Sequence, residues 1–264
     1  MHPPQFRWSW SFLCVGAALL HGCALPPGDP GLVRVVSYNI RHGEGMDRTL
    51  DLGRTAAVLR ALAPDVVALQ EVDEGTRRSG GVDQAAELGR QLGMEHAFGS
   101  FMDFQGGRYG CAILSRRPIR RVQPVRLPDG HEPRVALSVE VEGPDGAPLT
   151  FCCVHFDWVA DDTFRFAQAQ TAAAHLDSLA QPYVVLGDFN DRPGSRTLAL
   201  YARDTRPAWT VPTPTFPADA PTAPIDHLFA FPPARWHVEH AAVVDERVAS
   251  DHRPFLVVLR LLAP

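Results

Sequence analysis

Tyr183-Val184-Val185-Leu186-Gly187-Asp188-Phe189-Asn190 sets the pattern for this chain. A short apolar, β-branched run reads as a buried strand, and here it hands over to Gly-Asp-Phe-Asn. Asp188 and Asn190 lie two apart, so in an extended segment they share a face. A turn with local side-chain bonds is the plainer alternative. The same layout recurs along the sequence. Polar clusters at Asn39, Gln70-Glu71, His155, Asp226-His227 and Ser250-Asp251-His252 nearly all open or close an apolar run. Carboxylates, amides and imidazoles at strand ends are where a sheet protein builds a site. Hard oxygen ligands, two aspartate–histidine neighbours and no glycine-rich nucleotide loop point to metal-assisted hydrolysis of a phosphoester.

Outward from that segment, residues 32–40 form an apolar strand carrying Asn39 near its end. Residues 50–63 place Leu52, Ala56, Leu59 and Leu62 at helical spacing, and Pro64 stops the helix. Residues 66–70 read as a strand that delivers Glu71 at its carboxyl end. Residues 82–92 form a second helix closed by Gly93. Strands are expected at 109–115 and 120–126 around a proline turn. A hairpin joins 135–141 to 149–156 through Gly143-Pro144-Asp145-Gly146. Helices follow at 163–180 and 195–201. Residues 204–224 make a Pro/Thr-rich loop with Trp209 and Phe216, and strands are expected near 225–231, 236–244 and 254–261. This order predicts an α/β (α+β) layered sandwich, with two mixed β-sheets packed together and helices outside.

The 264 residues hold 30 acidic and 25 basic side chains, a net charge of −5. No basic tail collects phosphates. Arg116, Arg117, Arg120 and Arg121 read as a solvated turn between strands rather than a nucleic-acid groove. Arg7 precedes the apolar stretch Trp8–Leu20, which ends at Leu20-His21-Gly22-Cys23. A basic start, a short apolar core and a small residue before the cut describe an export signal. The stretch is short for a membrane-spanning helix. Leu-x-Gly-Cys resembles the bacterial lipobox, with His21 an unusual member, and implies a lipid anchor at Cys23. An ordinary secretory signal or an uncleaved anchor is the alternative. The expected division is an export signal over 1–23, a linker over 24–31 and one domain over 32–264. The expected location is the cell envelope, as an outer-membrane lipoprotein facing periplasm or cell surface. Of the remaining cysteines, Cys152 and Cys153 face opposite sides of a strand. One of them reaches Cys111 if the two strands lie side by side; buried free thiols are the favoured alternative.

The ordered clusters Ser-Tyr-Asn39-Ile, Leu-Gln70-Glu71-Val, Val-His155-Phe-Asp, Gly-Asp188-Phe-Asn190, Ile-Asp226-His227-Leu and Ser250-Asp251-His252 together resemble the endonuclease/exonuclease/phosphatase superfamily. That group includes DNase-I-like nucleases, sphingomyelinases and inositol-phosphate phosphatases. The resemblance implies a four-layer αββα sandwich with the site at one edge of the two sheets. It implies Mg²⁺ or Mn²⁺ on Glu71, assisted by Asn39, with Asp251 as a second metal ligand. It implies that Asp188 positions or deprotonates the attacking water and that Asn190 holds a phosphate oxygen. His155 becomes a phosphate contact or general acid, Asp226 orients His252, and Tyr109 stands near a family tyrosine position. Departures are Arg41-His42, where some nucleases carry an acidic residue, and the missing Cys-Asp-Arg and Asn-Tyr-Arg elements of inositol-polyphosphate phosphatases. The expected activity is a metal-dependent phosphodiesterase acting on nucleic acid or a phospholipid head group. A catalytically inactive binding lipoprotein on the same scaffold is the alternative.

Overall fold

The computed structural model describes residues 31–203, 205–207 and 213–263. The expected export signal, Cys23, most of the linker and Trp209 lie outside the described residues. No helix among the described residues is long and apolar enough to cross a membrane.

The first half runs β1 (Leu32–Asn39), α1 (Leu52–Leu62), β2 (Val66–Glu74), α2 (Gln84–Leu92), β3 (Glu95–Phe104) and β4 (Gly107–Ser115). The second runs β5 (Ile119–Arg126), β6 (Val135–Glu142), β7 (Pro148–His155), α3 (Thr163–Asp177), β8 (Tyr183–Asp188), α4 (Arg196–Ala202), β9 (Arg206–Pro207) and β10 (Asp226–Phe231). β11 (Trp236–Val243) and β12 (Phe255–Leu261) return to the first half. One six-stranded sheet has the order β11-β12-β1-β2-β4-β3, and the other β5-β6-β7-β8-β10-β9. Each holds a parallel pair joined by a helical crossover, β1/β2 through α1 and β7/β8 through α3. The two sheets thus share one local plan.

Every central strand is apolar on both faces, and the two faces serve different layers. In β1, Val33 and Val35 pack between the sheets while Val36 and Tyr38 pack under the helices. In β7, Leu149, Phe151 and Cys153 point between the sheets, and Cys152 and Val154 point to α3. This period-two division produces one inter-sheet core and two helix-facing cores. The result is the four-layer αββα sandwich expected from the sequence. Asp51 and Asp83 cap α1 and α2 by accepting from Arg54 N and Ala86 N. Gly93, at φ 65°, closes α2 in the left-handed conformation that glycine tolerates.

Several elements differ from expectation, among them β9, a two-residue strand inside the expected loop. β3 is an unforeseen strand, pairing with β4 along its length; its exposed Glu95, His96 and Asp103 dilute the apolar pattern. β4 and β5, the strands expected around the proline turn, belong to different sheets. Arg116 and Arg117 fix that crossing by donating to Pro64 O and Gly143 O at 2.7 and 3.3 Å. β2 does not end at Gln70 but continues to Glu74 through an irregularity between Leu69 and Val72.

Cys111, Cys152 and Cys153 are free and buried. Cys111 and Cys153 meet across the inter-sheet core rather than along neighbouring strands. Burial pushes the Cys152 thiol up to about 12 and raises Cys153 well above the usual thiol range, so the nucleophilic thiolate is scarce. In protein lacking residues 1–23, a disulfide reagent at pH 8 is expected to label none of the three within minutes, and all three in urea. Rapid labelling of the folded protein would contradict this packing.

Candidate active site

The site lies where the inward stripes of both sheets run out. β1 places Val33, Val35, Ser37 and then Asn39 on its inward face. β7 places Phe151, Cys153 and then His155, and β8 places Val184, Leu186 and then Asp188. β10 enters with Asp226 ahead of Leu228 and Ala230. Pairing aligns these ends, with Asn39 opposite Gln70, His155 opposite Asp188, and Asp188 opposite Asp226. The pleat that builds the apolar core therefore carries these polar side chains to one edge.

Glu71 arrives by another route. Gln70 takes the inward position of β2, where its Nε2 donates to Cys153 Sγ at 3.2 Å. Regular pleating turns the next residue away. The bulge, with Glu71 at φ 58°, brings its carboxylate back to the edge. There Asn39 Nδ2 donates to Glu71 Oε1 at 3.0 Å. A left-handed non-glycine residue costs about 1–3 kcal/mol, which the surrounding pairing has to hold.

Asp188 is the meeting point. Its Oδ1 accepts from Asn190 N at 2.9 Å. Its Oδ2 accepts from Asn39 Nδ2 at 3.3 Å, and His155 Nε2 and His252 Nε2 each stand 3.6 Å from that same oxygen. Burial pushes the Asp188 carboxyl up to about 7; nearby His252 opposes the rise and Asp226 adds to it. His252 Nδ1 donates to Asp226 Oδ2 at 2.9 Å, and Thr215 Oγ1 donates to the same oxygen. Burial disfavours charge on His252, but Asp226 and Asp188 outweigh it and push the imidazole up to about 10. His155 behaves oppositely. Burial, then Arg134, then His252 hold it well below the usual histidine range, so it is neutral beside Asp188.

The remaining expected residues are placed as follows. Asn190, at φ 50°, donates Nδ2 to Phe156 O at 3.0 Å, leaving its second amide hydrogen. Asp251 stands 3.6 Å from Arg41 Nε, so the cation at position 41 faces the expected second ligand. Tyr109 is buried in β4 with its ring 4.8 Å from Phe101 and 4.7 Å from the Arg78 guanidinium. Burial, then Glu71, raises its hydroxyl well above the usual range. The Asp226-His227 neighbours separate: Asp226 turns in to His252, while His227 Nε2 meets Asp191 O at 2.9 Å and its ring packs on Phe189. Phe216 packs 4.9 Å from His252. The sequence reading missed Arg134, which contacts His155, and Thr215, which contacts Asp226. It also missed Trp158, which is 56% exposed three residues beyond His155 with His131 edge-on at 5.4 Å. An aromatic residue that close behind a strand-end histidine was the available signal.

Glu71, Asp188 and Asp226 bring three carboxylates to one edge with one imidazolium between two of them. Buried Gln70 Oε1 and Asp226 Oδ1 have no hydrogen-bond partner. An all-oxygen set of carboxylates and amides that is short of positive charge fits a hard divalent cation. Asp188, Asp226 and His252 also offer ligand atoms within 4.8 Å of one another. A protonated His252 has no lone pair to give, however, which favours Glu71; Asn39 turns its Nδ2 donor toward Glu71, and its Oδ1 accepts from Arg41 N at 3.1 Å.

Residues 36–252 match the profile of the endonuclease/exonuclease/phosphatase family, and that span includes every site residue named above. The chain belongs to this family. Its members are in general phosphoester hydrolases. Similar solved structures include a family protein from Beutenbergia cavernae DSM 12333, with 25% identity, a TM-score of 0.73, and coverage of 88% of this chain and 72% of that one. A mannosyl-6-phosphatase from Bacteroides thetaiotaomicron is similar at 18% identity and TM-score 0.71, covering 86% and 99%. A humanized TDP2 of D. rerio is similar at 18% identity and TM-score 0.70, covering 87% and 99%. The latter two show likeness of fold.

Burial holds the His227 imidazole below the ordinary histidine range. Below pH 6.5 the unfolded chain takes up a proton that folded His227 refuses, so stability falls as the solution is acidified. His227→Gln is expected to reduce the slope of unfolding free energy against pH between 6.5 and 5, by up to about 1.4 kcal/mol per pH unit. Urea titrations at several pH values measure it, and equal slopes would remove His227 from the acid response.

Proposed function

We propose that this chain is a metal-dependent phosphodiesterase of the cell envelope. The observation that supports it best is the convergence on Asp188 Oδ2 of Asn39 Nδ2, His155 Nε2 and His252 Nε2. Asp188 is the group that orients the attacking water and takes its proton. Its buried carboxyl, near neutrality, is suited to accept one. His252, charged through Asp226, faces the phosphoryl group and offsets the negative charge that grows there. Asn190 adds an amide hydrogen without adding charge. Glu71 and Asn39 would hold Mg²⁺ or Mn²⁺, with Asp251 at the margin beside Arg41. Such an ion, when bound, neutralises phosphoryl oxygens and helps orient the ester.

Nucleic acid and phospholipid head groups are the two substrate classes this site suits. Exposed Trp158 offers a flat face near His155. Export through residues 1–23, with Cys23 lipid-anchored, completes the proposal and is supported by the sequence alone.

The test is a panel of DNA, RNA, phospholipid and sphingomyelin vesicles and inositol phosphates, each with Mg²⁺, with chelator and with Asp188→Ala. Release from one class is expected, lost with chelator and restored by Mg²⁺ or Mn²⁺. Asp188→Ala and His252→Ala are expected to lower kcat by about 10²–10⁴-fold without moving the thermal midpoint far. Full activity in either variant would refute the roles given. Calorimetry that finds no Mg²⁺ or Mn²⁺ binding would favour an inactive binding lipoprotein. For localisation, Cys23→Ser is expected to move the protein from the membrane fraction to the soluble one.

A further inference from the structure

Two histidines point Nε2 at the same oxygen, and their far nitrogens are held by groups of opposite charge. His252 Nδ1 meets a carboxylate, Asp226 Oδ2, at 2.9 Å. His155 Nδ1 meets a guanidinium, Arg134 Nη1, at 3.1 Å. A guanidinium has donors only. His155 Nδ1 therefore accepts, and the single ring proton of its neutral form sits on Nε2.

We propose that Arg134 is a positioning residue that locks His155 as the neutral Nε2–H tautomer, making it a fixed hydrogen-bond donor to a phosphoryl oxygen rather than an acid or base.

Arg134 is built for this and not for gripping substrate. Its side chain is 1% exposed. Nη1 is committed to His155 and Nη2 to Glu132 Oε2 at 2.9 Å. Phe101 lies against the guanidinium at 5.2 Å. Glu132 is held in turn, because buried Asp157 accepts from His131 N at 2.6 Å and Glu132 N at 3.3 Å. The alternative tautomer sets Nδ1–H against an Arg134 N–H in a buried site, leaving two donors facing each other. A cationic His155 does the same, beside the positive charge of Arg134. On the far side, Nε2–H stands 3.6 Å from Asp188 Oδ2, too long for a direct bond. That spacing leaves the proton for an oxygen placed to one side of the pair. Neutral His155 thus adds a donor beside charged His252 without a second positive charge that would overstabilise bound phosphate.

The tautomer stands apart from the activity; only the meeting of Nε2–H with a phosphoryl oxygen rests on the phosphodiesterase reading. Two-bond ¹H–¹⁵N correlation of the wild-type imidazoles reads the tautomer directly, with His155→Gln identifying the signal. At pH 7, His155 is expected to show a protonated Nε2 and a bare Nδ1. A protonated Nδ1, alone or with Nε2, overturns the proposal, and this measurement needs no variant at position 134. Arg134→Met is expected to give mixed tautomers and a ten-fold or larger fall in kcat on the substrate the panel identifies, with KM changed less than three-fold. Arg134→Lys, which keeps a cationic donor, is expected to recover the Nε2–H signal. An unaltered ¹⁵N pattern in a folded Arg134→Met overturns the proposal. The expected pattern in an enzyme inert on every substrate would retain the tautomer and reject the phosphodiesterase reading.

Discussion

A carboxylate buried at the end of a strand, Asp188, is the constraint around which the site is arranged. Left alone there, it would shed its charge by binding a proton. The structure surrounds it with donors instead: a backbone amide on one oxygen, and an amide and two imidazoles turned toward the other. Its carboxyl is left near neutrality. Each of those donors needs its own orientation, and the rest of the site supplies it. Asp226 and Thr215 stand behind His252, Arg134 and Glu132 behind His155, and Glu71 and the Arg41 backbone around Asn39.

The sandwich makes this burial possible. Its inter-sheet core is apolar because alternate residues of nearly every central strand are apolar, and Asn39, His155, Asp188 and Asp226 continue that alternation to the edge. A one-residue shift of β8 against β7 would turn Asp188 toward the helices and leave Phe189 at the edge. Gly187, between the core and Asp188, is pressed against β7; a Cβ there would come within 1.9 Å of Val154 O. That contact explains why the sequence changes from large apolar residues to glycine one position before the aspartate.

What the sequence made legible follows from these facts. Strand ends, helix spacing and the αββα order are local patterns, and most elements appear where their periodicity placed them. The polar residues at strand ends were legible for the same reason, since a period of two fixes which face they occupy. Contacts across long sequence separations were not, apart from the Asp226–His252 pair that the family resemblance implied. Arg134 sits 21 residues from His155 and shows no motif. Thr215 comes from a loop whose path local preference does not determine. The division of Asp226 from His227 was hidden because neighbouring residues in a strand look alike until the buried face is known. β3 escaped because its polar outer residues break the pattern of a two-sided buried strand. The bulge at Glu71 is a backbone event that no side chain announces.

Both histidines were visible as histidines, yet their states depend on what lies behind them. Asp226 behind His252, with Asp188, outweighs burial and makes it a cation, whereas burial keeps His155 neutral and the guanidinium behind it adds to that. Had both been backed by carboxylates, two positive charges would face one aspartate. Catalysis gains only from what strengthens in the transition state. In the proposed reaction, one fixed cation and one fixed neutral donor would let His252 answer the charge that grows on phosphorus while His155 holds geometry. The contact behind each ring fixes which nitrogen carries the proton.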